Sequence, residues 1–339
     1  MKTIALIIPW FGTLRNDFAF WLKSVEYNPS IDFLFFTDQD ITTPPRNLKV
    51  IKSNLKHIDY LAKKYVWEGS VIAKAYKVCD YRPAFGELFC DYLSDYDWWG
   101  HCDVDLIFGD IRHFINEAIL NRYDRIGVNG PFTLYRNKPE VNSSYREMGD
   151  VQKIFSEQKP FGFDEWGINK CGTSYYWINN FSDRLWRETV FDNLAPFHYS
   201  FVSGAVRNSK KDIKNLMFSY EQGKLYRIGS INGEVNKHET LYVHLQKRPI
   251  IIKTENSAHF SIIPPGKIIP LVDKVTTSYL KWNIRDSRFW AYYIRLMNKL
   301  MSMIGKKPYS DMVLFPEDDD YVGKYEKPFY WYIRKYIKL

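Results

Sequence analysis

A chain of 339 residues that is 45% hydrophobic and 17% aromatic has apolar mass for one large α/β domain or two smaller ones, which excludes a disordered protein. The net charge of +8 is unevenly placed, because residues 281–339 hold 12 Lys and Arg against 7 Asp and Glu. No run of about 18 uncharged apolar residues suggests a membrane span, and four cysteines without CxxC spacing (Cys79, Cys90, Cys102, Cys171) suit a reducing cytoplasm rather than a disulfide framework.

Residues 1–10 look superficially like a signal peptide, but the apolar run is short and Pro9-Trp10-Phe11-Gly12 offers no small-residue cleavage site. Residues 4–8 read instead as a first, fully buried strand. Residues 17–27 space Phe18, Trp21, Leu22 and Val25 as a helix does. Residues 33–38 form a short buried strand with a polar end, and 48–51 a third. Residues 72–92 are expected to be largely helical, with Pro83 breaking the helix. Residues 98–104 then read as a strand, 111–123 as a helix and 126–128 as another strand. Alternation of this kind predicts an α/β sheet with substantial parallel pairing. Ligands of such sheets gather beyond the carboxyl ends of the strands. Pro9-Trp10-Phe11, Thr37-Asp38 and Asp103-Val104-Asp105 all lie at such ends.

Beyond about Gly130 the pattern loosens. Gly162-Phe163-Asp164-Glu165-Trp166-Gly167 stands out as an acidic pair framed by glycine and aromatics. Asn232-Gly233 is a turn signal before residues 241–245, which read as a strand. Pro264-Pro265-Gly266 suggests a boundary, after which the chain becomes basic and aromatic.

The most informative stretch is Trp98-Trp99-Gly100-His101-Cys102-Asp103-Val104-Asp105-Leu106-Ile107-Phe108. Two carboxylates one residue apart, wedged between apolar residues, are expected to share one face at a strand's end. Unpaired buried carboxylates cost several kcal/mol or more, and a divalent cation is an effective partner. Mg²⁺ or Mn²⁺ held by one or two carboxylates, with phosphate oxygens filling other positions, is a usual arrangement in phosphate chemistry. A solvated turn with a helix cap at Asp110 is the bland alternative, and the apolar flanks count against it.

This Asp-x-Asp pattern resembles that of nucleotide-sugar glycosyltransferases with the GT-A fold. The chain is similar to the bacterial kind that serves capsule, exopolysaccharide and lipopolysaccharide synthesis, through a Trp-Gly-His-Cys-Asp-x-Asp block. Further points of likeness are the Pro9-Trp10-Phe11-Gly12 strand end, Thr37-Asp38, the run Lys77-Val78-Cys79-Asp80-Tyr81-Arg82-Pro83 and the late His244, over roughly residues 1–250. The resemblance implies a GT-A-like, single Rossmann-type mixed sheet flanked by helices. It implies a catalytic domain over 1–265, with a nucleotide-sugar half (1–130) and an acceptor half (131–265), followed by a helical extension over 266–339.

By the same resemblance, Pro9, Trp10 and Phe11 line the base pocket and Asp38 faces base or ribose. Lys77 and Arg82 would meet ribose or diphosphate, Arg being suited to bidentate phosphate contacts. Asp80 would orient Arg82 or cap a turn. Asp103 and Asp105 would hold Mn²⁺ or Mg²⁺ beside the donor. His244 is similar to the late metal-binding histidine of glycosyltransferase family 8, with Lys247 standing for the lysine that contacts the departing diphosphate; the full His-x-x-Gly-x-x-Lys-Pro-Trp block is absent. Asp164 and Glu165 are the candidates for acid/base work on an acceptor hydroxyl, or for stabilising positive charge in a retaining reaction.

The reading that follows is a metal-dependent hexosyltransferase acting from a nucleotide diphosphate sugar, UDP-linked, onto a glycan or lipid-linked glycan, with galactose or glucose as the sugar. A metal-dependent phosphohydrolase or nucleotidyltransferase is the alternative. A nucleic-acid partner would explain basic charge and aromatics but not buried acids at a strand end. Residues 287–301 place Phe289, Tyr293, Leu296, Met297 and Leu300 on one helical stripe, with Arg288, Arg295 and Lys299 off it. With the aromatic and cationic residues 329–339, this suggests a cytoplasmic protein whose tail either packs on the core or rests on an anionic membrane surface.

Overall fold

Strand β1 (Ile4–Trp10) runs through the middle of a seven-stranded sheet and is buried on both faces. Ala5 and Ile7 enter the core on one side, and Ile4, Leu6 and Ile8 the core on the other. Two-sided burial is why the segment is continuously apolar rather than alternating. The computed structural model describes residues 1–188, 190–194, 200–201, 213–246, 248, 250–284 and 303. The chain divides into two units, Met1–Gln246 with Ile250–Asp286, and Lys247–Pro249 with Ser287–Leu339. Of the second unit only Arg248 and Met303 are described, so the expected tail helix and its lipid contacts lie outside the described residues.

Strands β2 (Asp32–Thr37) and β3 (Leu48–Lys52) join β1 in parallel, as does β4 (Trp98–Cys102) on its other side. After β5 (Leu106–Phe108), strands β6 (Arg125–Asn129), β7 (Phe132–Arg136) and β8 (Leu185–Trp186) complete the sheet in the order β3-β2-β1-β4-β7-β6-β8. Pairing is antiparallel between β4 and β7 and between β6 and β7, so the sheet is mixed. The helix Phe18–Glu26 covers one face through Phe18, Trp21 and Val25. On the other face Trp99 stacks on Tyr135 at 4.5 Å and Tyr81 on Phe155 at 4.3 Å. This is the helix-flanked mixed α/β sheet expected from the sequence.

Several elements differ in detail. Residues 72–92 hold a 3₁₀ helix (Ala75–Ala84), one α turn (Phe85–Leu88) and a 3₁₀ turn (Cys90–Tyr92) instead of a long helix. Pro83 has no N–H to extend an α ladder, and it sits inside the 3₁₀ helix. The helix expected over 111–123 is two short ones, Ile111–Phe114 and Glu117–Arg122, the second capped by Asn116 accepting from the Ile119 N–H. The helix Leu55–Leu61, capped by Asn54, was not anticipated.

The region after Gly130 builds more sheet than its sequence suggests. Strands β9 (Asp192–Asn193), β10 (Lys214–Glu221), β11 (Lys224–Ile231), β12 (Glu234–Glu239), β13 (Tyr242–His244), β14 (Ile251–Ile252), β15 (His259–Ile263) and β16 (Lys267–Pro270) follow. Six of them form a sheet in the order β12-β11-β10-β15-β16-β14, antiparallel except for the last pair. Asn232-Gly233 is a turn as expected, with φ of 51° and 85°, but it joins β11 to β12. Pro264-Pro265-Gly266, which suggested a boundary, turns β15 back onto β16, and β16 remains in the same sheet. Strands β5, β13 and β9 form a third, small sheet.

Candidate metal centre

Strand β4 stops at Cys102, and Asp103-Val104-Asp105 make a tight turn into β5. The two carboxylates therefore converge through a turn, not through alternation along a strand. The Asp103 N–H bonds the Pro131 carbonyl at 2.9 Å, which anchors the turn to the neighbouring hairpin. Val104, between the acids, is buried in the core and fixes which way the turn faces.

His244 arrives by register. Strand β13 pairs antiparallel with β5 so that His244 lies opposite Leu106, and the Leu245 N–H bonds the Asp105 carbonyl at 3.0 Å. The imidazole Nε2 stands 3.1 Å from Asp105 Oδ1 and 3.9 Å from Asp103 Oδ2. One ligand atom from each of the three side chains falls within a 4.8 Å group. All three are largely shielded, with side-chain exposures of 26%, 17% and 11% for Asp103, Asp105 and His244.

Burial pushes the Asp103 carboxyl above its usual range despite Arg82, and Asp105 adds to the rise. Burial acts on Asp105 too, but His244 and Arg15 together with a backbone bond outweigh it and hold that carboxyl below its usual range. His244 in turn is made more basic, the two carboxylates overcoming a burial that disfavours its charge. Two hard oxygen donors and one imidazole nitrogen, gathered around excess negative charge, fit a divalent cation of the Mn²⁺ or Mg²⁺ type.

Arg82 ties this cluster to the acidic loop. One guanidinium nitrogen bonds Asp103, and the other donates to Asp164 Oδ2 at 2.8 Å and to the Gly130 carbonyl at 3.0 Å. The Gly130 N–H donates to Glu165 Oε1 at 3.1 Å. Burial drives the Asp164 carboxyl up to about 7 although Arg82 opposes the shift. Glu165 is exposed. A methyl at Gly130 would come within 2.7 Å of Glu165 Oε1 and 2.8 Å of Asp164 Oδ2, so the close approach requires glycine there.

The remaining expected residues separate into two groups. Pro9, Trp10 and Phe11 are half-buried at the carboxyl end of β1, and Trp10 pairs in register with Thr37. The Trp10 indole N–H is buried without a partner among the described residues. Asp38 is exposed beside them, accepting from the Gly12 N–H at 3.1 Å. These residues occupy the same sheet edge as Asp103, because β1, β2 and β4 run parallel. Lys77 differs from them: its side chain is fully buried against Asp80 rather than turned to solvent, where a phosphate contact was expected. Asp80 bonds Lys77 and backbone amides, so it does not orient Arg82. Lys247 lies outside the described residues.

Two residues escaped the sequence reading. Gly130 carried no signal beyond its place between two strands. Arg15, in the loop leaving β1, is held by Asp17 through bonds of 2.9 and 3.0 Å and reaches the Gln246 carbonyl at 3.3 Å. Its charge helps to keep Asp105 ionised. A cation in the loop after a strand that ends at the site was the available clue.

Similar solved structures include the apo form of glycosyltransferase GlyE from Streptococcus pneumoniae TIGR4, with 12% identity and a TM-score of 0.32 over 56% of this chain and 46% of that one. Mouse xyloside xylosyltransferase 1 gives 9% identity and a TM-score of 0.33, over 57% and 88% of the two chains. Galactosyltransferase LgtC, in complex with donor and acceptor sugar analogs, gives 13% and 0.30, over 56% and 75%. The chain thus spans under half the length of the first of these. No curated protein matches the sequence. Residues 6–271 match a family described as a family of unknown function (DUF6625), and the chain belongs to that family.

Proposed function

We propose that the protein is a metal-dependent glycosyltransferase that takes a hexose from a nucleoside diphosphate sugar. The observation that carries this reading is the group of Asp103, Asp105 and His244 at the carboxyl edge of the sheet, with Arg82 joining it to Asp164. Asp103, Asp105 and His244 would hold Mn²⁺ or Mg²⁺. Bound there, the cation supplies Lewis-acid neutralisation of the diphosphate leaving group. Trp10 and Phe11 would flank the base, and Asp38 would meet base or ribose from the exposed end of β2. Arg82, already fixed by Asp103 and Asp164, would turn its remaining surface to the donor. Asp164 would accept the proton of an incoming hydroxyl in an inverting reaction, or stabilise developing positive charge in a retaining one. On the family resemblance, the donor is a UDP-hexose, galactose or glucose, and the acceptor a lipid-linked glycan of bacterial surface polysaccharide.

A donor-hydrolysis panel of nucleotide sugars tests this, run with and without Mn²⁺. Slow release of free hexose and intact nucleoside diphosphate, only with the cation, is the expected result. Release of nucleoside monophosphate would identify a phosphohydrolase instead and overturn the reading.

The Asp164 carboxyl makes a pH prediction. Its usual value is near 3.9 and its folded value about 7. Between about 4 and 7 the folded chain keeps a proton that the unfolded chain has lost. This carboxyl's contribution to stability therefore falls as pH rises through that window. If the ionised form is the base, the transfer rate climbs through an apparent pKa near 7. Asp164→Asn is expected to slow transfer and remove that limb. A rate profile that keeps the limb in the variant would assign the proton acceptor elsewhere.

A further inference from the structure

The 3₁₀ helix Ala75–Ala84 carries Arg82 and also two fully buried charges that the proposed chemistry does not use. In such a helix residues three apart eclipse one another, so Lys77 and Asp80 face each other, with Nζ to Oδ2 at 2.9 Å. Lys77 also donates to the carbonyls of Ile154 at 2.5 Å and Lys159 at 3.1 Å. The Asp80 carboxylate accepts the Phe161 N–H at 2.8 Å and the Phe163 N–H at 3.0 Å. Phe163 immediately precedes Asp164. Asp80 is two residues from Arg82, and Arg82 bonds Asp164 at 2.8 Å. The ring Asp80, Arg82, Asp164, Phe163 is thus closed by two hydrogen bonds and two short stretches of chain, which leaves little slack. A buried ion pair is weak evidence for stability, since apolar residues of like volume often serve as well. What apolar residues cannot do is accept two backbone N–H groups.

We propose that Lys77 and Asp80 form a clamp that positions the acidic loop, setting Asp164 against Arg82 and the Asp103 turn. Asp80 is then a positioning residue for the transfer reaction, an inference that rests on the function proposed above. Within the loop the backbone adds Glu165 N–H to Gly162 O at 3.0 Å, Ile168 N–H to Phe161 O at 2.9 Å and Thr173 N–H to Phe163 O at 2.8 Å. Asp80→Val keeps a side chain of similar size but removes every acceptor for the two N–H groups. The double variant Lys77→Met/Asp80→Val removes both charges and leaves neither partner of the pair as an unmatched buried charge.

The test combines amide hydrogen exchange at Phe161 and Phe163, calorimetric affinity for UDP with Mn²⁺, and the transfer rate at saturating donor. In both variants exchange is expected to quicken and the transfer rate to fall about 10- to 100-fold, as a misplacement near 1 Å can cause. UDP affinity should stay within about threefold, because no donor contact is removed. A folded variant with the parental transfer rate would overturn the proposal, as would a rate loss matched by an equal loss of UDP affinity. If the parent itself transfers no sugar, the functional reading falls, and unchanged exchange at the two amides would independently dismiss the clamp.

Discussion

Asp103→Asn and Asp105→Asn are each expected to lower sugar transfer by about 1,000-fold or more, since losing a cation ligand removes several kcal/mol of transition-state stabilisation. The folded state should tolerate Asp103→Asn better than Asp105→Asn, because burial raises the Asp103 carboxyl whereas His244 holds that of Asp105 down. In the metal-free protein the two carboxylates share one group with His244, and burial already drives the Asp103 carboxyl upward. Neutralising one acid relieves repulsion while keeping shape. Thermal melting without metal should therefore show no loss for Asp103→Asn. Calorimetry with UDP and Mn²⁺ should show the loss of affinity that the rate implies. A variant that retains metal-dependent UDP affinity would remove that aspartate from the cation site.

Arg82→Met is expected to be the most damaging single change to the fold around the site. It leaves Asp103 and Asp164 without their shared guanidinium. Removing one partner of a buried pair costs about 3–5 kcal/mol. The cost has a pH signature. Without Arg82 both carboxyls rise further, so the folded variant holds protons that the unfolded chain releases near pH 4. Stability relative to the parent therefore falls as pH increases. Urea unfolding at pH 5 and pH 8 should show the larger deficit at pH 8. An equal deficit at both would mean that Arg82 acts by packing alone.

Strands β1, β2 and β4 were legible because they are buried on both faces and read as mainly apolar runs. The Asp pair was legible for the opposite reason, as charge inside such a run. The six-stranded sheet was not. Strand β10 is buried along most of its length, and β12 is a charged edge with hardly any buried side chain, so neither alternates. The Gln222-Gly223 turn, with φ of 47° and 89°, joins β10 to β11 and is the local hairpin signal in this region. His244 could be suspected from the strand before it, yet only the pairing of β13 with β5 brings it to Asp105. Lys77 looked like a phosphate contact because its neighbours do not reveal that its ammonium already has three acceptors. Nothing near Gly130 announces the contact with Arg82 across 48 residues.

The most direct test of the metal-dependent site is a crystal of the protein grown with Mn²⁺ and UDP, with diffraction collected at the manganese absorption edge. The account predicts one anomalous peak in bonding contact with Asp103, Asp105 and His244 and with the diphosphate oxygens. Nucleotide bound with no manganese among these three side chains, or manganese bound only elsewhere, would contradict it.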